Sequence, residues 1–174
     1  MAGPLFSTAE CNFNASLANC LRGFGHEVFL PQEEEQGEDP HAVFVSDVSG
    51  IEWSELVLAN LDGPDPDSGT CWEIGFGYHA GKHIGVYRTD LRLFRGADQI
   101  NLMMTEGADF VIIVPKMPFN LLAERIDDQI KAYWPERKIK EISPYAPERE
   151  VLISASGRPY QEQPDGSLKY VEDR

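Results

Sequence analysis

Three short apolar runs constrain this chain more than anything else in it: residues 55–61 (ELVLANL), 83–87 (HIGVY) and 110–114 (FVIIV). None of them alternates polar with apolar residues. A strand covered on both faces needs that pattern, and such strands belong to parallel sheets. The segments between them have helical character. Residues 70–81 predict a helix, and 118–134 a strongly amphipathic one with Leu122, Ile126, Ile130 and Tyr133 on one face. Upstream, Ser7-x-x-Glu10 is a capping box opening a helix over 7–24. Phe13, Leu17, Leu21 and Phe24 recur along it at helical spacing, and Gly25 stops it. A short strand is expected at 26–30, ended by Pro31, and a helix from 41 to Gly50 within 41–53. Strands alternating with helices predict an α/β fold: a doubly wound, mainly parallel, flavodoxin- or Rossmann-like sheet with helices on both faces.

This pattern occupies residues 1–135 as one domain. Residues 136–174 are polar and punctuated by prolines, and read as a C-terminal extension. Two extended pieces there, 150–155 and 167–171, are expected to pair as a β-hairpin across a loop containing Asp165 and Gly166. The hairpin would pack on the domain or on a neighbouring subunit.

Charge and cysteine usage narrow the function. A net charge of −14 repels nucleic-acid phosphates and anionic membranes, which argues against a nucleic-acid polymer or a membrane as partner. No run approaches the roughly 20 apolar residues of a membrane span, and the start has no signal-peptide character. Three cysteines without CxxC spacing fit neither a disulfide framework nor a zinc site, so a reducing cytoplasm is the expected setting. His26, His41, His79 and His83 lack metal-ligand spacing, so no metal cofactor is expected. The acidic stretch 32–39 reads as a solvated loop. No GxGxxG or Walker pattern is present, which removes support for dinucleotide and nucleoside-triphosphate binding.

The chemistry-bearing stretch is 62–77, DGPDPDSGTCWEIGFG, where a buried strand gives way to a helix. Ligands of open α/β sheets bind outside the carboxyl ends of the strands. Asp67 and Glu73 project there, close to a helix N-terminus that would help keep Glu73 ionised. A purely structural account also exists: Thr70-x-x-Glu73 is a capping box, and Asp67 is suited to capping a turn. Against it, Glu73 stands among Cys71, Trp72, Ile74 and Phe76, where an unsatisfied carboxylate is costly to bury. Gly75 and Gly77 suggest close backbone approach. Cys71 reads as a small packing residue and Trp72 as a core residue.

Taken in order, these motifs resemble the nucleoside 2-deoxyribosyltransferases over roughly residues 2–135. The resemblance rests on Ala2-Gly-Pro-Leu-Phe6, Leu30-Pro-Gln32, Leu58-Ala-Asn-Leu-Asp62, Asp67-Ser-Gly-Thr-x-x-Glu-Ile-Gly75, Gly81-Lys82, Tyr87-Arg-Thr-Asp90-x-Arg92 and Asn101-Leu-Met103. It implies Glu73 as nucleophile, Asp67 as the carboxyl group that manages the proton of the nucleobase, and Asp47 as an acidic group near base and sugar. It further implies substrate contacts at Asn101, Gln32, Gly3, Phe6 and Gly69. Asn101 comes from a neighbouring subunit in some members of the family, which implies a homo-oligomer, a dimer or larger. The implied partners are deoxynucleosides and free nucleobases, and the implied setting is nucleotide salvage.

The family also implies an apolar first strand before Ala-Gly-Pro, whereas here Met1 directly precedes Ala2. Arg88 and Arg92 are suited either to pairing with Asp90 or to meeting a substrate phosphate. Three functions follow: deoxyribosyl transfer through a covalent Glu73 intermediate, N-glycoside hydrolysis of deoxynucleosides or nucleoside 5′-monophosphates, and nucleoside binding without catalysis.

Overall fold

The computed structural model describes residues 1–34, 39–90 and 100–133 in full, together with the backbone of 152–153, 159–162 and 168–170. Helix α1 (Thr8–Gly23) starts as its sequence dictates. The Ser7 hydroxyl accepts the Glu10 N–H at 3.2 Å, which caps the helix, and donates to the Glu10 carboxylate at 2.8 Å; this second bond replaces the one a capping box makes to the Ser7 backbone. The chain turns away at Gly25, whose φ of +94° suits glycine. Helix α2 (Pro40–Trp53) runs past Gly50 to Trp53. Strand β1 (Leu56–Asn60), helix α3 (Ser68–His79), strand β2 (His83–Arg88), the single turn α4 (Leu102–Thr105), strand β3 (Phe110–Ile113) and helix α5 (Phe119–Tyr133) follow.

The three strands form a parallel sheet in the order β1-β2-β3, with Leu56 opposite His83 and Gly85 opposite Phe110. Successive strand residues point to opposite faces, so the sheet feeds two cores. On one face Leu58, Tyr87 and Phe110 pack with Leu17 and Leu21 of α1 and Leu122 and Ile126 of α5. On the other, Val57, Ala59, Ile84 and Val86 pack with Ile51 of α2 and Ile74 of α3. Burying each such leucine or isoleucine contributes about 1.5–3 kcal/mol. This is the expected α/β architecture with helices on both faces.

Two expectations about strands need correction. β1 and β2 are covered on both faces, but β3 is not: Val111 is 40% and Ile113 47% exposed. The four-residue α4 is too short to cover that side of β3. Residues 26–30, read as a strand, join no ladder among the described residues. They are held instead by the Met1 ammonium, which donates to the Phe29 carbonyl at 2.7 Å, and by the Phe29 ring lying against Gly50. Beside them, Ala2 makes a parallel bridge to Ala59 of β1.

Residues Met1–Arg137 and Lys138–Arg174 are separate units. In the second, β4 (Leu152–Ile153), β5 (Pro159–Glu162) and β6 (Leu168–Tyr170) form an antiparallel sheet in sequence order. The two predicted extended pieces therefore do not pair with each other directly; β5 lies between them. Asp165, Gly166 and Arg92 lie outside the described residues, as do 35–38 of the acidic stretch.

Candidate active site

The loop after β1 delivers α3 at the carboxyl end of the sheet. Asp67 is the N-cap of α3: its Oδ2 accepts the Thr70 N–H at 3.0 Å and the Thr70 hydroxyl at 3.4 Å. Oδ1 takes no part in the cap. The Thr70–Glu73 capping box is consequently not formed. Thr70 lies inside the helix and Glu73 is its sixth residue, more than a turn from the end. Gly69 sits under the cap, where a Cβ would stand 3.0 Å from Asp67 Oδ2.

Glu73 is half-buried, and its carboxyl group is raised to about 7. Burial is the largest cause and the charge of Asp47 the next; Asp67 adds to both, while the Met1 ammonium opposes them. The helix N-terminus does not keep this group fully ionised, because a helix dipole acts mainly within its first turn. The Met1 ammonium is in turn lowered to about 6 by burial, against the pull of Glu73 and Asp47. Three carboxyl groups from different parts of the fold therefore converge electrostatically: Asp47 from the middle of α2, Asp67 at the cap of α3, and Glu73 within α3.

Glu73 and Asp47 line one cavity of 740 Å³ with Met1, Ala2, Phe29 and Leu58. The cavity lies between residues 25–31 and the outer edge of β1. Its volume falls within the range of small-molecule sites. Asp67 does not line it and reaches Glu73 through charge.

The remaining candidates are placed elsewhere. Gly3 abuts the end of β1, where a Cβ would come within 3.1 Å of the Asn60 Cβ. Gln32 donates to the Cys11 carbonyl at 2.8 Å, and its buried Oε1 has no hydrogen-bond partner among the described residues. Phe6 is 80% exposed. Asn101 is exposed and caps α4 by accepting the Met103 N–H at 3.0 Å, with Leu102 and Met103 standing 65% and 74% exposed beside it. None of these, nor Gly69, lines the cavity that holds Glu73 and Asp47.

Other sequence expectations resolve locally. Trp72 is not a core residue: it is 47% exposed, stacked on Phe76 at 5.2 Å and tilted against Phe44 at 5.5 Å. The Cys71 thiol is raised by burial and by the charges of Asp67 and Asp65. Its Sγ lies 3.8 Å from the Pro66 carbonyl oxygen. His26 pairs with Asp127 and His83 with Asp109, each at 3.1 Å. Among the described residues, no cluster of His, Cys, Asp and Glu is arranged to hold a metal ion. Met1 was not a candidate from sequence, although it lines the cavity and its charge acts on Glu73. The only hint was its place directly before the Ala-Gly-Pro motif.

A 2-deoxyribosyltransferase from the psychrotolerant Bacillus psychrosaccharolyticus superposes with a TM-score of 0.55 at 26% identity, covering 70% of this chain and 87% of that one. A conserved protein from Enterococcus faecalis V583 gives 0.53 at 27% identity, over 74% and 95%. The CMP N-glycosidase of Clostridium botulinum shares the fold, with a TM-score of 0.52 at 20% identity over 68% and 89%. No curated protein sequence matches. The profile of the nucleoside 2-deoxyribosyltransferases matches residues 1–132, most of the chain, and the chain belongs to that family.

Proposed function

We propose that this protein transfers the 2-deoxyribosyl group between nucleobases by double displacement, with Glu73 as the nucleophile. The observation that carries this reading is the convergence of Asp47 and Asp67 on a half-buried Glu73 whose carboxyl group is raised to about 7. Strongly perturbed carboxylates in a cavity are characteristic of groups that exchange charge during a reaction.

In this mechanism ionised Glu73 attacks the anomeric carbon as the bond to the base breaks. The oxocarbenium-like transition state places positive charge opposite a carboxylate, as in retaining glycoside hydrolysis. The electron pair of the broken bond leaves with the base, which takes up a proton relayed through Asp67. The sugar is then an ester of Glu73. A second base attacks the same carbon, surrenders its proton, and regenerates the Glu73 carboxylate. Two displacements retain configuration. Asp47, on the wall shared with Glu73, faces the sugar and base. Asn101, Gln32, Gly3, Phe6 and Gly69 complete the proposed substrate contacts. The exposed Phe6, Leu102 and Met103 support a homo-oligomer in which the Asn101 turn reaches a neighbouring subunit's site. Nucleotide salvage in the cytoplasm is the setting that fits.

The rival is hydrolysis, in which water collapses the ester; the likeness to a CMP N-glycosidase makes nucleoside monophosphates the alternative donors to test. Arg88 gives that rival little support, being 6% exposed and donating to the Gly63 carbonyl at 2.7 Å. The test is chromatography of a 2′-deoxynucleoside incubated with and without a second free base. A new deoxynucleoside formed only with the acceptor supports transfer. Free base released equally in both supports hydrolysis, and ligand binding without turnover supports the non-catalytic reading.

A further inference from the structure

The geometry points to Asp62 as a positioning residue for the proposed reaction, an inference that rests on the function proposed above. Asp62 stands two residues beyond β1, and no catalytic role calls for it. Its carboxylate nonetheless takes three short hydrogen bonds from the segment that follows β2. Oδ1 accepts the Thr89 N–H at 2.6 Å and the Asp90 N–H at 2.7 Å; Oδ2 accepts the Thr89 hydroxyl at 2.6 Å.

The arrangement is reciprocal. The Asp90 carboxylate accepts the Gly63 N–H at 3.1 Å, and Arg88 donates to the Gly63 carbonyl at 2.7 Å. Each loop thus holds the backbone of the other. Gly63 can be gripped from both sides because it adopts a φ of +114°, a conformation open to glycine and strained for other residues. Asp62 itself is oriented by the Asn60 side chain, whose Oδ1 accepts the Asp62 N–H at 2.8 Å.

This latch closes the near end of the loop whose far end is the Asp67 cap. Between the two anchors lie only four residues, Gly63 to Pro66. Such a short, doubly anchored loop has few alternatives, so the latch fixes where Asp67 and the start of α3 stand against the carboxyl end of the sheet. Hydrogen bonds to an ionised acceptor are the strong kind, and their loss leaves backbone donors unpaired. Asp62 acts through Asp67 and touches no substrate.

The test compares Asp62→Ala, Asp62→Asn and the wild type by two readouts. The first is hydrogen exchange resolved by peptide, which does not depend on turnover. Asp62→Ala is expected to speed exchange over 61–72 and 87–90 while leaving 110–133 unchanged; equal exchange everywhere overturns the inference. The second is steady-state kinetics below the melting midpoint of each variant. Asp62→Ala is expected to lower kcat by about 10²-fold with KM changed little, as misplacement of a catalytic group does. Asp62→Asn keeps an acceptor for the two N–H groups and is expected to recover most of that loss. A folded Asp62→Ala variant with wild-type kcat overturns the inference, as does a loss that Asp62→Asn does not recover. A wild type without turnover refutes the proposed function instead, and exchange alone then decides whether the latch exists.

Discussion

Asp67 holds the backbone N–H of Thr70 at 3.0 Å through Oδ2, so the carboxylate six residues before Glu73 caps the helix on which Glu73 stands. One side chain is therefore assigned both a structural and a chemical task, and two substitutions separate them. Asparagine caps helices about as well as aspartate, whereas alanine at a cap costs about 1 kcal/mol. Asp67→Asn is expected to unfold in urea within about 0.5 kcal/mol of the wild type, yet to turn over roughly 10²–10⁴-fold more slowly, the range for loss of a positioned acid. Asp67→Ala is expected to lose both. An Asp67→Asn variant with normal turnover would reduce Asp67 to its cap.

The nucleophile carries its own pH signature. Attack requires ionised Glu73, and its carboxyl group is raised to about 7, chiefly by burial and by Asp47. For the free enzyme, kcat/KM is expected to climb with pH through an ascending limb centred near 7. Glu73→Ala is expected to remain folded by circular dichroism and to release no base. A flat profile between pH 5.5 and 8, or turnover in Glu73→Ala, would remove Glu73 from the mechanism.

The same group couples pH to stability with a definite sign. Its value in the folded protein, about 7, lies above the ordinary 4.5, so the native state binds a proton that the unfolded chain releases. The stabilising contribution is complete below 4.5 and is lost as pH rises through about 7. Glu73→Gln replaces the carboxylate with a neutral group of the same shape. Its melting temperature relative to the wild type is expected to be higher at pH 8 than at pH 5. A difference that does not change with pH would mean that Glu73 is solvated in the folded protein.

Much of the fold was legible because its signals are local. Ser7 announced the N-cap of α1, and the apolar runs of β1 and β2 announced burial on both faces. What failed depended on partners distant in sequence. Residues 26–30 have the composition of a strand, but a strand exists only where a neighbour pairs with it, and the adjoining chain offers one bridge at Ala2. Val111 and Ile113 read as buried, but α4 proved too short to cover them. The site divides similarly. The spacing of Asp67 and Glu73 is visible in the sequence, whereas the sequence offers Thr70 as the helix cap and Asp67 takes that place. The charge of Met1 acts on Glu73 through three-dimensional packing, and its place before Ala-Gly-Pro is a slight hint of that in the sequence.

Two glycines of α3 that look alike in sequence should respond oppositely to the same change. A Cβ on Gly77 would stand 2.7 Å from Val57 Cγ2 and 3.3 Å from Ile84 Cδ1, so α3 lies directly on β1 and β2 there. Gly77→Ala overpacks that contact and is expected to cost about 1–3 kcal/mol. Gly75 is exposed, and a Cβ on it would meet nothing within 4 Å. Gly75→Ala keeps the helix and removes the excess freedom of the unfolded chain, for an expected gain of about 0.4–1 kcal/mol. Urea denaturation of both variants reads the difference directly. If Gly77→Ala also stabilises, α3 does not sit against the sheet at that distance. The cavity wall that carries Glu73 would then have to be drawn farther out from β1.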